Sequence, residues 1–135
     1  MEYRLTTLDL DVVNILVYEQ RKSVDTVQAM MDAIERGLEV SPVPLFPIGE
    51  SSYALVKFSP SPFDRSGHHR LLSHYFLSRP LPCAIFDDHF DNLFDYVSFR
   101  RMNLVDDNLA PSSNKLRNRM AHWQRHCDSN NERLF

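Results

Sequence analysis

Pro42, Pro44 and Pro47 fall within six consecutive residues, in the run Ser41-Pro42-Val43-Pro44-Leu45-Phe46-Pro47. Proline has no amide hydrogen and its ring clashes with the preceding helical turn, so no helix passes through this stretch. The run is therefore extended. Because a proline leaves a gap in a hydrogen-bonded ladder, its expected place is the edge of a sheet.

The segments on either side are read against that strand. Val12 to Val17 is a short β-branched run, the pattern of a buried strand. Residues 18–23 form a polar connection carrying Glu19, Gln20 and Arg21. Ser23 then caps a helix in which Val24, Val27, Met30, Met31 and Ile34 recur at helical spacing, and Gly37 stops it. Gly49 marks a hairpin turn into a strand over 52–58. A loop with two prolines, Ser59 to Asp64, leads to a second helix from Gly67 to about Leu77, and 80–86 returns as a strand. This order predicts an α+β fold, a small mixed sheet with helices against it. Beyond Asp88, Phe90, Leu93, Phe94 and Val97 mark one amphipathic helix, and Leu116, Met120 and Trp123 another. The chain reads as a single domain, with a core over 1–88 and a C-terminal helical extension over 89–135.

Composition narrows the function classes. A net charge of -3 argues against a surface coated by nucleic acid or membrane. No apolar run approaches the roughly 18 residues of a membrane span, and Met1-Glu2-Tyr3-Arg4 does not open a signal peptide. Cys83 and Cys127 form no C-x-x-C pair and fit a reduced, cytoplasmic protein.

The chain has only three glycines, and Gly67 lies in Ser66-Gly67-His68-His69-Arg70, directly ahead of the periodic residues Leu71, Leu72, Tyr75 and Phe76. Ser66 in that position is an N-cap, and Gly67 lets a ligand approach the backbone closely. Free amides and the positive end of the helix dipole then favour an anion, and Arg70 offers a planar fork of donors for a phosphate. The plainer alternative is a capped helix with surface His and Arg. His68, His69 and His74 lack the spacing of a zinc site, and His122 with His126 lacks a third ligand, so no metal centre is expected. Lys115, Arg117, Arg119 and Arg125 make a basic helical face, either solvated or set against a nucleic-acid backbone.

Lys22 to Phe86 resembles the ParB/sulfiredoxin-like fold. The resemblance rests on a helix before a Pro-rich strand (Ser41-Pro42-Val43-Pro44-Leu45), a short hairpin, Gly67-His68-His69-Arg70, and a helix ending at Arg79-Pro80-Leu81-Pro82-Cys83. Sulfiredoxins carry a catalytic Cys between the Gly and the His of this loop. Here His68 stands there, and an imidazole cannot replace a thiolate nucleophile in that chemistry. The nearest local likeness is to the free serine kinases, which carry Asp-Gly-His-His-Arg and an upstream Glu-Gln, matched by Glu19-Gln20 and Gly67 to Arg70. Their Asp before the Gly is Ser66 here, with Asp64 two positions earlier.

The resemblance implies a nucleotide site for ATP, ADP or CTP, with Ser66, Gly67, His68, His69 and Arg70 on the phosphates. It further implies Glu19 as base, Asp64 as a carboxylate for Mg²⁺, and phosphotransferase or NTPase activity. Two alternatives remain open. One is a DNA-associated, ParB-like partition or regulatory module, or a nuclease, using Lys115, Arg117, Arg119 and Arg125. The other is a catalytically inactive interaction protein that forms a homodimer through the stripe around Trp123.

Overall fold

A computed structural model describes residues 2–57 and 67–105. The strands are β1 (Arg4–Leu8), β2 (Asn14–Val17), β3 (Arg21–Ser23), β4 (Val43–Gly49), β5 (Ser52–Leu55), β6 (Leu81–Ile85), β7 (Val97–Ser98) and β8 (Asn103–Val105). The helices are α1 (Val24–Glu35) and α2 (His68–Leu77), with a 3-10 turn at Phe99–Arg101. Six strands form one mixed sheet in the order β1-β6-β4-β5-β2-β7, and β3 pairs in parallel with β8 in a separate ribbon. The α+β expectation, a small mixed sheet with helices packed on it, is what the chain forms.

Strand periodicity sorts the side chains between the two faces, since successive residues point to opposite sides. Ile15, Val17, Val43, Leu45, Leu55, Cys83 and Ile85 meet Val24, Val27 and Met31 of α1 and Leu71, Leu72 and Phe76 of α2. Phe46, Ala54, Ala84 and Phe86 build a second cluster, packed with Tyr96 and Leu93 from the segment after β6. The Tyr96 hydroxyl donates to Leu55 O at 2.8 Å, which ties that segment to the sheet.

Several expectations are corrected. The Pro-rich strand is interior, lying between β6 and β5. It tolerates its prolines because they fall where the ladder is already interrupted. Pro44 stands at the end of the β4–β5 pairing and still accepts from Val56 N at 3.0 Å, while Pro47 borders a bulge before Gly49. In the hairpin, Ser51 rather than Gly49 takes the left-handed conformation, at φ 54°. Residues 21–23, expected as a connection, form β3.

The helix expected over 90–97 is absent. Short polar side chains there bond to backbone amides and compete with helix formation: Asn92 Oδ1 accepts from Phe94 N at 2.9 Å, and Asp91 Oδ2 accepts from Lys57 N at 2.8 Å. The segment instead delivers β7 to the sheet edge. The helix expected around Leu116, Met120 and Trp123 lies outside the described residues. Ser23 is a cap as expected, accepting from Thr26 N at 3.2 Å, and Gly37 ends α1 at φ 100°.

Candidate functional site

The carboxyl end of β2 and the amino end of α2 meet across 49 residues of sequence. Glu19 N donates to Nε2 of His68 at 3.1 Å. The Glu19 carboxylate pairs with Lys22, three residues later. His68 Nδ1 lies 3.9 Å from the same carboxylate oxygen, too far for a direct hydrogen bond. The His68 ring is fully buried and sits edge-on to Tyr18, centroid to centroid 4.7 Å.

Burial, with Lys22 and His69 adding positive charge, drives the His68 pKa down from 6.5 to about 3. The ring is therefore neutral. With Nε2 accepting from Glu19, the proton is assigned to Nδ1, on the side of the Glu19 carboxylate. Burial also lowers His69 and Lys22. Leu71 is the first residue of α2 whose amide bonds back, to Gly67 O at 2.7 Å. Gly67, at the cap position, supplies no side-chain cap. The amides of the first turn thus lack intrahelical acceptors, and with the helix dipole they attract an anion beside Lys22.

The Gly-His-His-Arg string divides between two tasks. A Cβ on Gly67 would lie 2.3 Å from Val43 Cγ1. Gly67 is thus required by the close approach of α2 to β4. One helical turn on, Arg70 is 7% exposed and donates from Nη1 to Ser41 O at 2.5 Å and Pro42 O at 3.1 Å. Arg70, expected on the phosphates, is held through Nη1 as a clamp between α2 and the entry to β4. His68 turns to Glu19 instead, and His69 stays half-buried.

Glu19, Lys22, His68 and His69 are therefore brought together, and the Nη1 of Arg70 is held by the Ser41 and Pro42 carbonyls. Asp64 and Ser66 lie outside the described residues, as do Lys115, Arg117, Arg119 and Arg125. Sequence reasoning missed a neighbouring group. Lys57 pairs with Asp95 at 2.7 Å and lies 5.6 Å from the Tyr18 ring, while Asp91 takes the Lys57 amide and bonds His89 Nε2 at 2.9 Å. The signal was present as Asp91 and Asp95 one helical turn apart, a spacing that read as the polar side of a helix.

Among the described residues no three His, Cys, Asp or Glu converge as a metal group. Cys83 is buried on β6, and burial pushes its thiol up to about 12, so it stays protonated. Among the described residues no helix is long and apolar enough to cross a membrane. Comparisons with protein-family models, curated proteins and solved structures found no match.

Proposed function

We propose that the chain is a nucleotide-binding domain of ParB/sulfiredoxin-like type. It takes the phosphates of a nucleoside di- or triphosphate at the amino end of α2. The observation that carries this reading is the convergence of Glu19, Lys22 and neutral His68 on the start of α2, where Gly67 supplies no side-chain cap. Phosphate oxygens are met there by first-turn amides and by the Lys22 ammonium, which supply positioning and charge neutralisation together. His68 holds the Glu19 backbone in place. As Lys22 turns to the phosphates, the Glu19 carboxylate is released to act as a base. It takes the proton of an acceptor hydroxyl while that oxygen bonds to the terminal phosphorus and the bridging bond to the leaving nucleotide breaks. Mg²⁺ enters this reading with the phosphates it accompanies and through Asp64, which lies outside the described residues.

Calorimetric titration with ATP, ADP and CTP in the presence of Mg²⁺ tests the proposal. The expected result is micromolar binding of at least one nucleotide, about tenfold weaker in Lys22→Ala, a loss of about 1.4 kcal/mol. Glu19→Gln is expected to keep binding and lose turnover. No saturable heat from any of the three nucleotides on folded protein overturns the reading.

A further inference from the structure

A cavity of about 190 Å³ opens at the other end of α2. Asp9, Leu10 and Asp11, which follow β1, form one side of it, and His74, Tyr75 and Arg79 form the other. A ten-residue helix separates it from Gly67 by roughly 15 Å at 1.5 Å per residue. None of Glu19, Lys22 or His68 lines it, so it is a second site and does not rest on the nucleotide reading.

The groups around this cavity are mostly acceptors. Asp9 and Asp11 are exposed carboxylates on one turn, and the carboxyl end of α2 brings the negative end of its dipole to the cavity. His74 is 5% exposed, and its Nδ1 bonds Arg70 O at 2.7 Å. Burial first, then Arg79 and Arg70, pull the His74 pKa down and keep the ring neutral. The proton sits on Nδ1, in the bond to the Arg70 carbonyl, and Nε2 is left as a lone-pair acceptor on a residue that lines the cavity. His74 also lines a groove of about 570 Å³ that shares Arg79 with the cavity. Among the described residues the cation on the wall is Arg79, tethered through Nη1 to Ile34 O at 3.3 Å.

The site is built before any ligand arrives. Behind the wall, Arg100 donates from Nη2 to Leu10 O at 2.5 Å and from Nη1 to Val13 O at 3.3 Å. Its guanidinium lies 4.5 Å from the Phe99 ring centre and 5.8 Å from that of Tyr75. The Asp9–Val13 turn and the aromatic wall are thereby fixed relative to each other, so a ligand does not have to order them.

We infer that this cavity binds a small organic ammonium ion, a primary amine on a short alkyl stem. The ammonium has three donors and no acceptor, matching two carboxylates and the His74 Nε2 lone pair. Leu10 and Tyr75 provide apolar surface for the stem. The volume equals about six waters at ~30 Å³ each, which suits a stem of a few carbons. An anion meets two carboxylates and the wrong end of a helix dipole, and the acidic groups here do not converge as a metal cluster.

The test is a titration of the full chain with n-butylammonium chloride at constant ionic strength. The His74 ring resonances and the amides of residues 9–11 report binding by NMR, with n-butanol as the uncharged control. The expected result is a saturable shift in the millimolar range that butanol does not produce, weakened at least fivefold in Asp9→Asn/Asp11→Asn. Those substitutions keep the side-chain oxygen that accepts from Asp11 N at 3.0 Å, so the turn persists. His74→Gln gives a second variant with the same expected weakening. Linear, non-saturating shifts, an equal response to butanol, or unchanged binding in both folded variants overturns the inference.

Discussion

At its amino end α2 meets Glu19, Lys22 and the buried, neutral ring of His68, whereas at its carboxyl end it meets Asp9, Asp11 and the buried, neutral ring of His74. Both imidazoles are kept uncharged by burial, and each spends one nitrogen on the backbone. What differs is the field around them. The positive end of the helix dipole and the Lys22 ammonium stand at one end, and the negative end of the dipole and two carboxylates at the other. As proposed, a single ten-residue helix serves an anion at one end and a cation at the other, with the buried His68 turning its protonated Nδ1 and the buried His74 its Nε2 lone pair outward from the backbone bond.

The largest expected effect tests whether the amino end is shaped by packing or by ligand. Gly67→Ala places a methyl against Val43 in the fully buried start of β4, where it has no room to move. A loss of about 3 kcal/mol is expected in urea unfolding. Val43→Ala in the same background is expected to recover part of that loss, because it removes the Cγ atoms in the clash. If Gly67→Ala folds at full stability and loses only nucleotide affinity, the glycine serves the ligand and the packing argument fails.

Arg70→Ala follows, at about 2–3 kcal/mol, because it leaves Ser41 O and Pro42 O without the buried guanidinium that satisfies them. Nucleotide affinity of the folded fraction is expected to stay within twofold of wild type. A selective loss of affinity at unchanged stability returns Arg70 to the phosphates.

The two histidines are separated by pH. The folded His68 pKa lies near 3 and the unfolded value near 6.5, so the unfolded chain binds the extra proton between those limits. Stability from this ring is complete above pH 6.5 and falls as pH drops toward 3, by about 2 kcal/mol at pH 5. His74 and His69 shift in the same direction. Unfolding curves at pH 7 and pH 5 are therefore compared for His68→Gln and His74→Gln, each expected to flatten part of the slope. A His68→Gln slope equal to wild type shows that the ring takes up its proton in the folded state.

How much of this was legible beforehand follows from the range over which each residue acts. Ser23, Gly37 and the apolar spacing of Val24, Val27, Met31 and Ile34 act within one helix, and the boundaries of α1 were readable from them. The interior place of β4 was not, because it depends on β6 arriving from 40 residues away to pair in parallel at Val43–Leu45. Nor was the division of Gly67-His68-His69-Arg70, since nothing local says that Gly67 and Arg70 face β4 while His68 faces Glu19. The 90–97 segment misled for a related reason. Its apolar spacing is helical, yet Phe90 and Phe94 are 73% and 95% exposed while Tyr96, between the expected positions, is buried. The deciding bonds there run to Lys57 and Leu55, far away in sequence.

The smallest expected effect sharpens the carboxyl end. Ser78 closes α2 in the left-handed conformation, φ 54° and ψ 42°, a position where glycine relieves the Cβ contact that serine keeps. Glycine also frees the unfolded chain, which offsets part of the gain, so Ser78→Gly is expected to stabilise by only about 0.5 kcal/mol. Ser51, at the same φ in the β4–β5 hairpin, provides the control, because it shares the strain and lies outside the cavity. The two variants should gain alike in thermal unfolding. They should also bind n-butylammonium alike, since the acceptors assigned to that ion are Asp9, Asp11 and His74. Weaker binding in Ser78→Gly alone would move the Ser78 hydroxyl into the acceptor set and shift the ammonium toward the helix end.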